Sequence, residues 1–157
     1  MDSLVLFVCT GNTCRSPMAE VLLRTALPQT SPWRVASAGM AACEGSNASE
    51  LAVAALDELG CDLRKHRSRR VTPERIREAA AIVAMTGAHA QQLVTQFPDA
   101  RDRVYLLCAF DPNAPAHLDV TDPFCGSLAD YRQCRDFIRR AIPGLVRFLE
   151  QSASAGC

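Results

Sequence analysis

The sequence of 157 residues carries no net charge, with 17 Lys and Arg residues against 17 Asp and Glu residues. It also lacks any apolar run near the roughly 20 residues that a membrane span needs. Neutrality argues against bulk binding of nucleic acid, and the short apolar runs argue against a membrane protein. The first residues show neither a basic leader nor a small-residue cleavage site. We therefore expect a cytoplasmic protein.

The eight cysteines include no Cys-x-x-Cys pair, and no Cys/His cluster shows zinc-finger spacing. That absence argues against a metal site. Without a sign of export, a disulfide framework is not expected either. Most of the cysteines are therefore predicted to be small core residues, and Cys9 and Cys14 are the exceptions.

Strand-like and helix-like segments alternate along a chain whose length fits one domain, residues 1–157. Apolar runs predict four strands, at residues 3–9, 33–38, 80–85 and 104–107. Helical spacing predicts five helices, at residues 17–27, 47–60, 72–78, 88–97 and from 127 onward. Alternation of this kind predicts a parallel sheet with helices on both faces and ligands outside the carboxyl ends of the strands.

Local signals place several helix ends. Asn47 with Glu50, and Ser127 with Asp130, have the spacing of capping boxes. Gly60 follows the second helix, as expected of a C-terminal glycine. Pro143 should kink the last helix.

The loop after the first strand reads Cys9-Thr10-Gly11-Asn12-Thr13-Cys14-Arg15-Ser16-Pro17. A loop of this length at a helix N-terminus points backbone N–H groups into one concavity, which binds an anion. Gly11 permits a conformation that side chains forbid, and Arg15 adds a two-pronged donor for phosphate oxygens. The same field should lower the pKa of Cys9 and favour its thiolate, a nucleophile placed beneath the phosphate.

Transfer of a phosphoryl group to a thiolate expels a poor leaving group, which needs a proton. The acid should lie on another loop, because a carboxylate in the cradle would repel the substrate. Asp111 and Asp122 each precede a proline in the long loop 109–126. The residues alone do not decide between them.

The stretch from Val8 to Glu20 resembles the motif of the low-molecular-weight protein tyrosine phosphatases. Ser37-Ala38-Gly39, His66 and Asp122-Pro123-Phe124 extend the resemblance over nearly the whole chain. It implies a three-layer α/β/α fold whose four-stranded parallel sheet has the flavodoxin-like order 2-1-3-4. It further implies action on phosphorylated proteins. Separately, we expect a monomer without cofactor.

The resemblance also assigns roles to residues. Cys9, Arg15 and Asp122 are implied to be catalytic, which favours Asp122 over Asp111 as the acid. Phosphate would be bound by the loop residues Thr10, Gly11, Asn12, Thr13, Cys14, Arg15 and Ser16. Asn12, Ser16, Ser37 and His66 would brace that loop. Apart from the resemblance, the position of Cys14 in the same loop, five residues from Cys9, predicts a resolving cysteine that traps an oxidised Cys9 as a disulfide, and the alternative is a small buried residue.

Within this family, the motifs are most similar to those of bacterial protein-arginine phosphatases. Thr13 favours phosphoarginine, since phosphotyrosine enzymes commonly carry a bulkier aliphatic residue there. Cys43 stands where many of those enzymes have an aromatic wall, and Phe124 keeps one ring. A phosphotyrosine phosphatase is the alternative. An arsenate reductase is a remote one, because residues 79–100 lack the further cysteine pair that such enzymes use.

Overall fold

The computed structural model describes residues 2–115 and 117–156, and Cys157 lies outside them. Four strands alternate with the helices: β1 (Ser3–Cys9), β2 (Trp33–Gly39), β3 (Ala79–Ala84) and β4 (Val104–Leu106). The helices are α1 (Arg15–Ala26), α2 (Glu50–Asp57), α3 (Pro73–Glu78), α4 (Gly87–Gln96) and α5 (Leu128–Ala155). Two short 3₁₀ helices, Pro98–Arg103 and Leu107–Phe110, flank β4.

The sheet is parallel and has the order β2-β1-β3-β4, as the sequence predicted. β1 lies between β2 and β3, with Cys9 opposite Gly39 on one side and Val8 opposite Ala84 on the other. All four strands end at the same edge of the sheet. The connections from β1 and from β3 run in opposite directions, to β2 and to β4, so a crevice opens between the carboxyl ends of β1 and β3. Ligands bind at this position in such folds.

Alternation along β1 builds a core on each face of the sheet. Val5, Phe7 and Cys9 pack into the larger cluster with α1, α2 and α5, whereas Leu4, Leu6 and Val8 pack with residues of α3 and α4. All but Leu4 are at most 2% exposed. The unbroken apolar run of β1 therefore follows from burial of both faces.

Two predicted helix starts are wrong. α2 begins after Ser49, because Asn47 instead forms an isolated antiparallel bridge with Arg67. α1 begins at Arg15, two residues before Pro17, so the arginine belongs to the first helical turn. Pro17 is tolerated there because N–H groups in the first turn have no partner within the helix.

The last helix begins as predicted, with the Ser127 side chain and Asp130 forming a capping box. It continues through Pro143 to residue 155. A Cβ at Gly144 would lie 1.9 Å from the carbonyl oxygen of Phe110. The glycine therefore allows α5 to pack directly on the 3₁₀ helix after β4.

No helix within the described residues has the length and apolarity to cross a membrane.

Candidate active site

Loop 9–16 lies at the carboxyl end of β1 and is held against β2 through Gly39. A Cβ at Gly39 would lie 2.5 Å from the carbonyl oxygen of Thr10 and 3.0 Å from the nitrogen of Asn12. The backbone N–H groups of Met40 and Ala41 donate to the carbonyl oxygens of Cys9 and Thr10. Close backbone approach at a glycine thus fixes where the loop leaves the sheet.

The thiol of Cys9 is at the floor of this loop and 2% exposed. Its Sγ lies 2.8 Å from the Ser16 hydroxyl and accepts from the backbone N–H of Asn12 at 3.3 Å. Burial raises the pKa of Cys9, and the hydrogen bonds from Ser16 and Asn12 and the charge of Arg15 lower it. The net direction is upward, so the predicted net lowering is wrong, because the sequence did not show the depth of burial.

Asn12 braces the loop from inside. Its backbone has φ of 57°, a left-handed conformation that Asn tolerates better than most residues. The side-chain amide donates to the hydroxyls of Ser16 and Ser37, both at 2.9 Å. Its Oδ1 accepts from the backbone N–H of Arg69 at 2.9 Å. Three of the predicted supporting residues are therefore joined in one buried network.

His66, the fourth predicted supporting residue, contacts the same asparagine through the backbone. Its Nε2 lies 2.7 Å from the carbonyl oxygen of Asn12. A carbonyl only accepts, so Nε2 carries the proton and donates. Burial lowers the pKa of His66, and Glu20, whose Oε2 is 4.0 Å from Nδ1, opposes that shift. Glu20 also accepts from Ser37, a link that the prediction missed.

Arg15 is 5% exposed, and its guanidinium faces the loop that follows β4. Nη1 donates to the carbonyl oxygen of Val120 at 3.1 Å, and Nη2 lies 3.4 Å from Oδ2 of Asp122. Val120 is in turn held by its N–H, which donates to the carbonyl oxygen of Met85 after β3. The sheet edge thus sets the direction in which Arg15 presents its remaining N–H groups.

A cavity of about 210 Å³ opens above Cys9. Cys9, the loop residues Thr10 to Arg15, and Asp122 and Phe124 from the opposite loop line it. Ser16 does not, since it is fully buried behind the thiol. Its hydroxyl contacts Cys9 there, and its predicted role in binding phosphate stays a prediction.

The structure separates the two candidate acids. Asp122 lines the cavity with a side chain that is 49% exposed, and its Oδ1 accepts from the N–H of Phe124. Asp111 is buried away from the cavity, where it accepts from the N–H of Asn113 and lies 3.9 Å from Arg140. The geometry favours Asp122, in agreement with the family resemblance.

Of the three predicted specificity residues, Thr13 and Phe124 line the cavity and Cys43 does not. Phe124 is 69% exposed and so presents its ring at the entrance. The Thr13 carbonyl accepts from the N–H of Ser49 at the start of α2. Cys43 is exposed, and its carbonyl accepts from the hydroxyl of Ser68.

Cys14 is buried and contacts α5, a partner that the sequence did not suggest. The hydroxyl of Ser49 donates to that of Tyr131 at 3.0 Å, and the Tyr131 hydroxyl lies 3.3 Å from Cys14 Sγ. Either the Tyr131 hydroxyl or the Cys14 thiol can donate in that contact. Burial is the main cause that raises the pKa of Tyr131 to about 12, so its hydroxyl stays protonated at neutral pH.

His89 in α4 is another site neighbour that the prediction missed. Its Nε2 lies 2.8 Å from Oγ1 of Thr10, although 79 residues separate them. The side chain is buried, and within the described residues Nδ1 has no hydrogen-bond partner. Burial, with a smaller effect of Arg15, lowers the pKa of His89 to about 4.

Among the described residues, no three His, Cys, Asp or Glu side chains are grouped to hold a metal ion. The site is thus a buried thiol in an anion-binding loop, with an arginine beside it and a carboxylate facing it. This is the arrangement of a cysteine-dependent phosphoryl-transfer site.

The family model of low molecular weight phosphotyrosine protein phosphatases matches residues 4–155. The chain belongs to this family. It is 41% identical over 150 residues to a protein-arginine-phosphatase of Geobacillus stearothermophilus, covering 96% of this chain and 98% of the relative. The solved structure of the YwlE arginine phosphatase of that organism, 40% identical, superposes with a TM-score of 0.86 over 96% of this chain and 94% of that one.

Two further relatives represent the two substrate classes. Low molecular weight protein-tyrosine phosphatase A of Mycobacterium tuberculosis is 38% identical over 152 residues, 94% of this chain and 91% of the relative. A YwlE arginine phosphatase mutant with a phosphorylated active-site serine is 38% identical, with a TM-score of 0.83 over 94% of this chain and 95% of that one.

Proposed function

We propose that this chain is a protein phosphatase that transfers the phosphoryl group of a phosphorylated side chain to Cys9 and prefers phosphoarginine. One observation carries the proposal. The Cys9 thiol lies at the floor of a cavity whose walls hold the Arg15 guanidinium and, on the facing loop, the Asp122 carboxyl group. The nucleophile, the hydrogen-bond donor for the phosphate and the general acid thus face one small cavity.

In the first step, the backbone N–H groups of loop 9–16 and Arg15 hold the phosphoryl oxygens above Cys9 Sγ. Burial raises the pKa of the thiol. The Ser16 hydroxyl, the Asn12 amide and Arg15 are the groups that stabilise the thiolate against that cost. As the S–P bond forms, the bond from phosphorus to the leaving atom breaks, and Asp122 gives that atom its proton.

In the second step, a water molecule attacks the phosphocysteine. Asp122, now a carboxylate, takes a proton from the water, the S–P bond breaks, and Cys9 leaves as the thiolate. Inorganic phosphate is released, so the protein returns to its starting state. The relative with a phosphorylated active-site serine supports an intermediate in which an active-site side chain carries the phosphoryl group.

The substrate preference rests on Thr13 in the cavity wall. A phosphoarginine head has several N–H donors, for which the Thr13 hydroxyl can act as an acceptor. Phosphotyrosine presents an apolar ring that gains nothing from this hydroxyl. The similarity to the arginine phosphatase of Geobacillus stearothermophilus supports the same preference.

The test is the ratio of kcat/KM for phosphoarginine and phosphotyrosine in peptides of otherwise identical sequence. We expect the wild type to favour phosphoarginine and Cys9→Ser to lose turnover of both. Cys61→Ser serves as the matched control, because that thiol is buried but does not line the cavity. Turnover in Cys9→Ser equal to the wild type would refute the mechanism.

Thr13→Ile tests the substrate preference separately from the chemistry. The change leaves a polar guanidinium against an apolar wall, and unpaired groups of this kind alter selectivity by roughly 10- to 100-fold. We expect the rate on phosphoarginine to fall and the rate on phosphotyrosine to rise. A wild-type ratio that already favours phosphotyrosine would make this chain a tyrosine phosphatase.

A further inference from the structure

A groove of about 530 Å³ runs alongside the active-site cavity. One wall is a single face of α5, formed by Asp130, Gln133, Cys134 and Phe137, which follow helical spacing. The other wall is loop 118–126. The groove is more than twice as large as the cavity of about 210 Å³ above Cys9.

The groove is continuous with the active site, because Asp122 and Phe124 line both spaces. A molecule whose phosphoryl group rests on Cys9 therefore lies next to this end of the groove. If that molecule is a polypeptide, the residues next to the phosphorylated side chain lie within reach of the groove.

The lining of the groove indicates the chemistry of its occupant. Leu118 and Phe124 are the two large apolar side chains left exposed within the described residues, at 39% and 69%, and both line it. Phe137 adds a third apolar surface from α5. Apolar side chains that cluster on an otherwise polar surface mark places where a partner binds.

Asp122 carries the proton of the general acid when substrate binds, so the charged groups around the groove are then two carboxylates and one guanidinium, those of Asp119, Asp130 and Arg140. Asp119 accepts from the N–H of Gly87, and Asp130 caps α5, so both are held in place while keeping their charge. The excess of negative charge favours neutral or basic residues over acidic ones.

We propose that this groove binds the segment of the substrate polypeptide that flanks the phosphorylated residue, and that it selects a large apolar side chain with neutral or basic neighbours. The inference rests on the proposed function, since it needs a phosphorylated polypeptide at Cys9. It adds a binding site for the protein part of the substrate, next to the site of phosphoryl transfer.

The experiment compares phosphoarginine peptides that carry Leu, Gly or Glu at the positions next to the phosphorylated residue, together with free phosphoarginine and p-nitrophenyl phosphate. We expect kcat/KM to be about tenfold higher with Leu than with Gly, and lowest with Glu. The difference should lie in KM, because the flanking residues do not touch the reacting atoms.

Variants of the groove locate the preference. Leu118→Ser removes an apolar side chain from the groove wall, and Gln133→Trp fills the groove. Both variants should show a smaller preference for Leu, while free phosphoarginine and p-nitrophenyl phosphate react as in the wild type. Arg139→Trp is the matched control for the second change, because Arg139 is exposed on α5 but does not line the groove. It should keep the full preference.

The outcomes separate the two proposals. If no phosphorylated compound is hydrolysed, the proposed function is wrong and the groove inference falls with it. If the small substrates react but the peptides react equally well, the groove inference alone is wrong. Dimerisation of the wild type that Leu118→Ser abolishes would put a second copy of the chain in the groove and would also overturn it.

Discussion

Protonation of His89 should destabilise the fold at mildly acidic pH. The imidazole is buried against Thr10, and burial together with the nearby Arg15 lowers its pKa from 6.5 to about 4. Between these two values the unfolded chain binds a proton that the folded chain does not. Stability contributed by neutral His89 is therefore present above pH 6.5 and is lost as the pH falls towards 4.

The size of the effect follows from linkage. A tenfold change in proton affinity is worth about 1.4 kcal/mol, so the complete loss is roughly 3 kcal/mol, of which about 2 kcal/mol falls between pH 7 and pH 5. Such a loss is a large part of the free energy of unfolding of a typical domain, which is about 5–15 kcal/mol.

Urea unfolding at pH 7, 6 and 5 measures this directly in the wild type and in His89→Gln. The side-chain amide of glutamine can either donate to or accept from the Thr10 hydroxyl, but it does not titrate. We expect the decline in unfolding free energy from pH 7 to pH 5 to be smaller in the variant by about 2 kcal/mol. His117→Gln, which replaces an exposed histidine, should behave as the wild type.

Other titrating groups do not mimic this result. His66 is also buried with a lowered pKa and contributes in the same direction, but it is present in both proteins. The pKa of Glu58 is lowered from 4.5 to about 2, so the stability that its carboxylate contributes to the fold is lost only below the pH range of the assay. Equal declines in the wild type and His89→Gln would refute the role assigned to His89.

Three further predictions concern the catalytic loop and the acid. Asp122→Asn should lower kcat by about 10²- to 10⁴-fold, whereas Asp111→Asn should act near normally; a crippled Asp111→Asn would reverse the assignment. Ser16→Ala should raise the pKa of Cys9 further, because the hydroxyl hydrogen bond lowers it. The pH profile of iodoacetamide labelling reports this as a higher midpoint, and an unmoved midpoint would contradict it. After peroxide treatment, thiol should restore less activity in Cys14→Ser than in the wild type, where mass spectrometry should find a Cys9–Cys14 disulfide. Equal recovery would remove the protective role of Cys14.

Features that depend on a few consecutive residues could be predicted from the sequence. The apolar run of β1 and the capping box of Ser127 and Asp130 are of this kind, and both are confirmed. Asn47 and Glu50 have the same capping-box spacing as Ser127 and Asp130. The predicted cap is wrong because the backbone of Asn47 pairs with Arg67, a tertiary contact that no local pattern contains.

The same distinction applies to the site. Loop 9–16 is contiguous, so its residues could be assigned together from one motif. His89 and Tyr131 reach that loop from 79 and 117 residues further along the chain, through single hydrogen bonds to Thr10 and Cys14. A lone histidine or tyrosine in an amphipathic helix gives no sign of such a contact.

The pKa of Cys9 shows why a correct list of neighbours is not sufficient. The loop sequence predicts an anion-stabilising field around the thiol, and the structure contains hydrogen bonds from Ser16 and Asn12 and the charge of Arg15. Those groups stabilise the thiolate, but burial in the core destabilises it more. The thiol is buried because Cys9 is the last residue of β1 on the face that also carries Val5 and Phe7 and packs against α1, α2 and α5. The strand that delivers the nucleophile to the loop therefore also raises its pKa, and the hydrogen bonds of the loop offset a cost that the fold itself imposes.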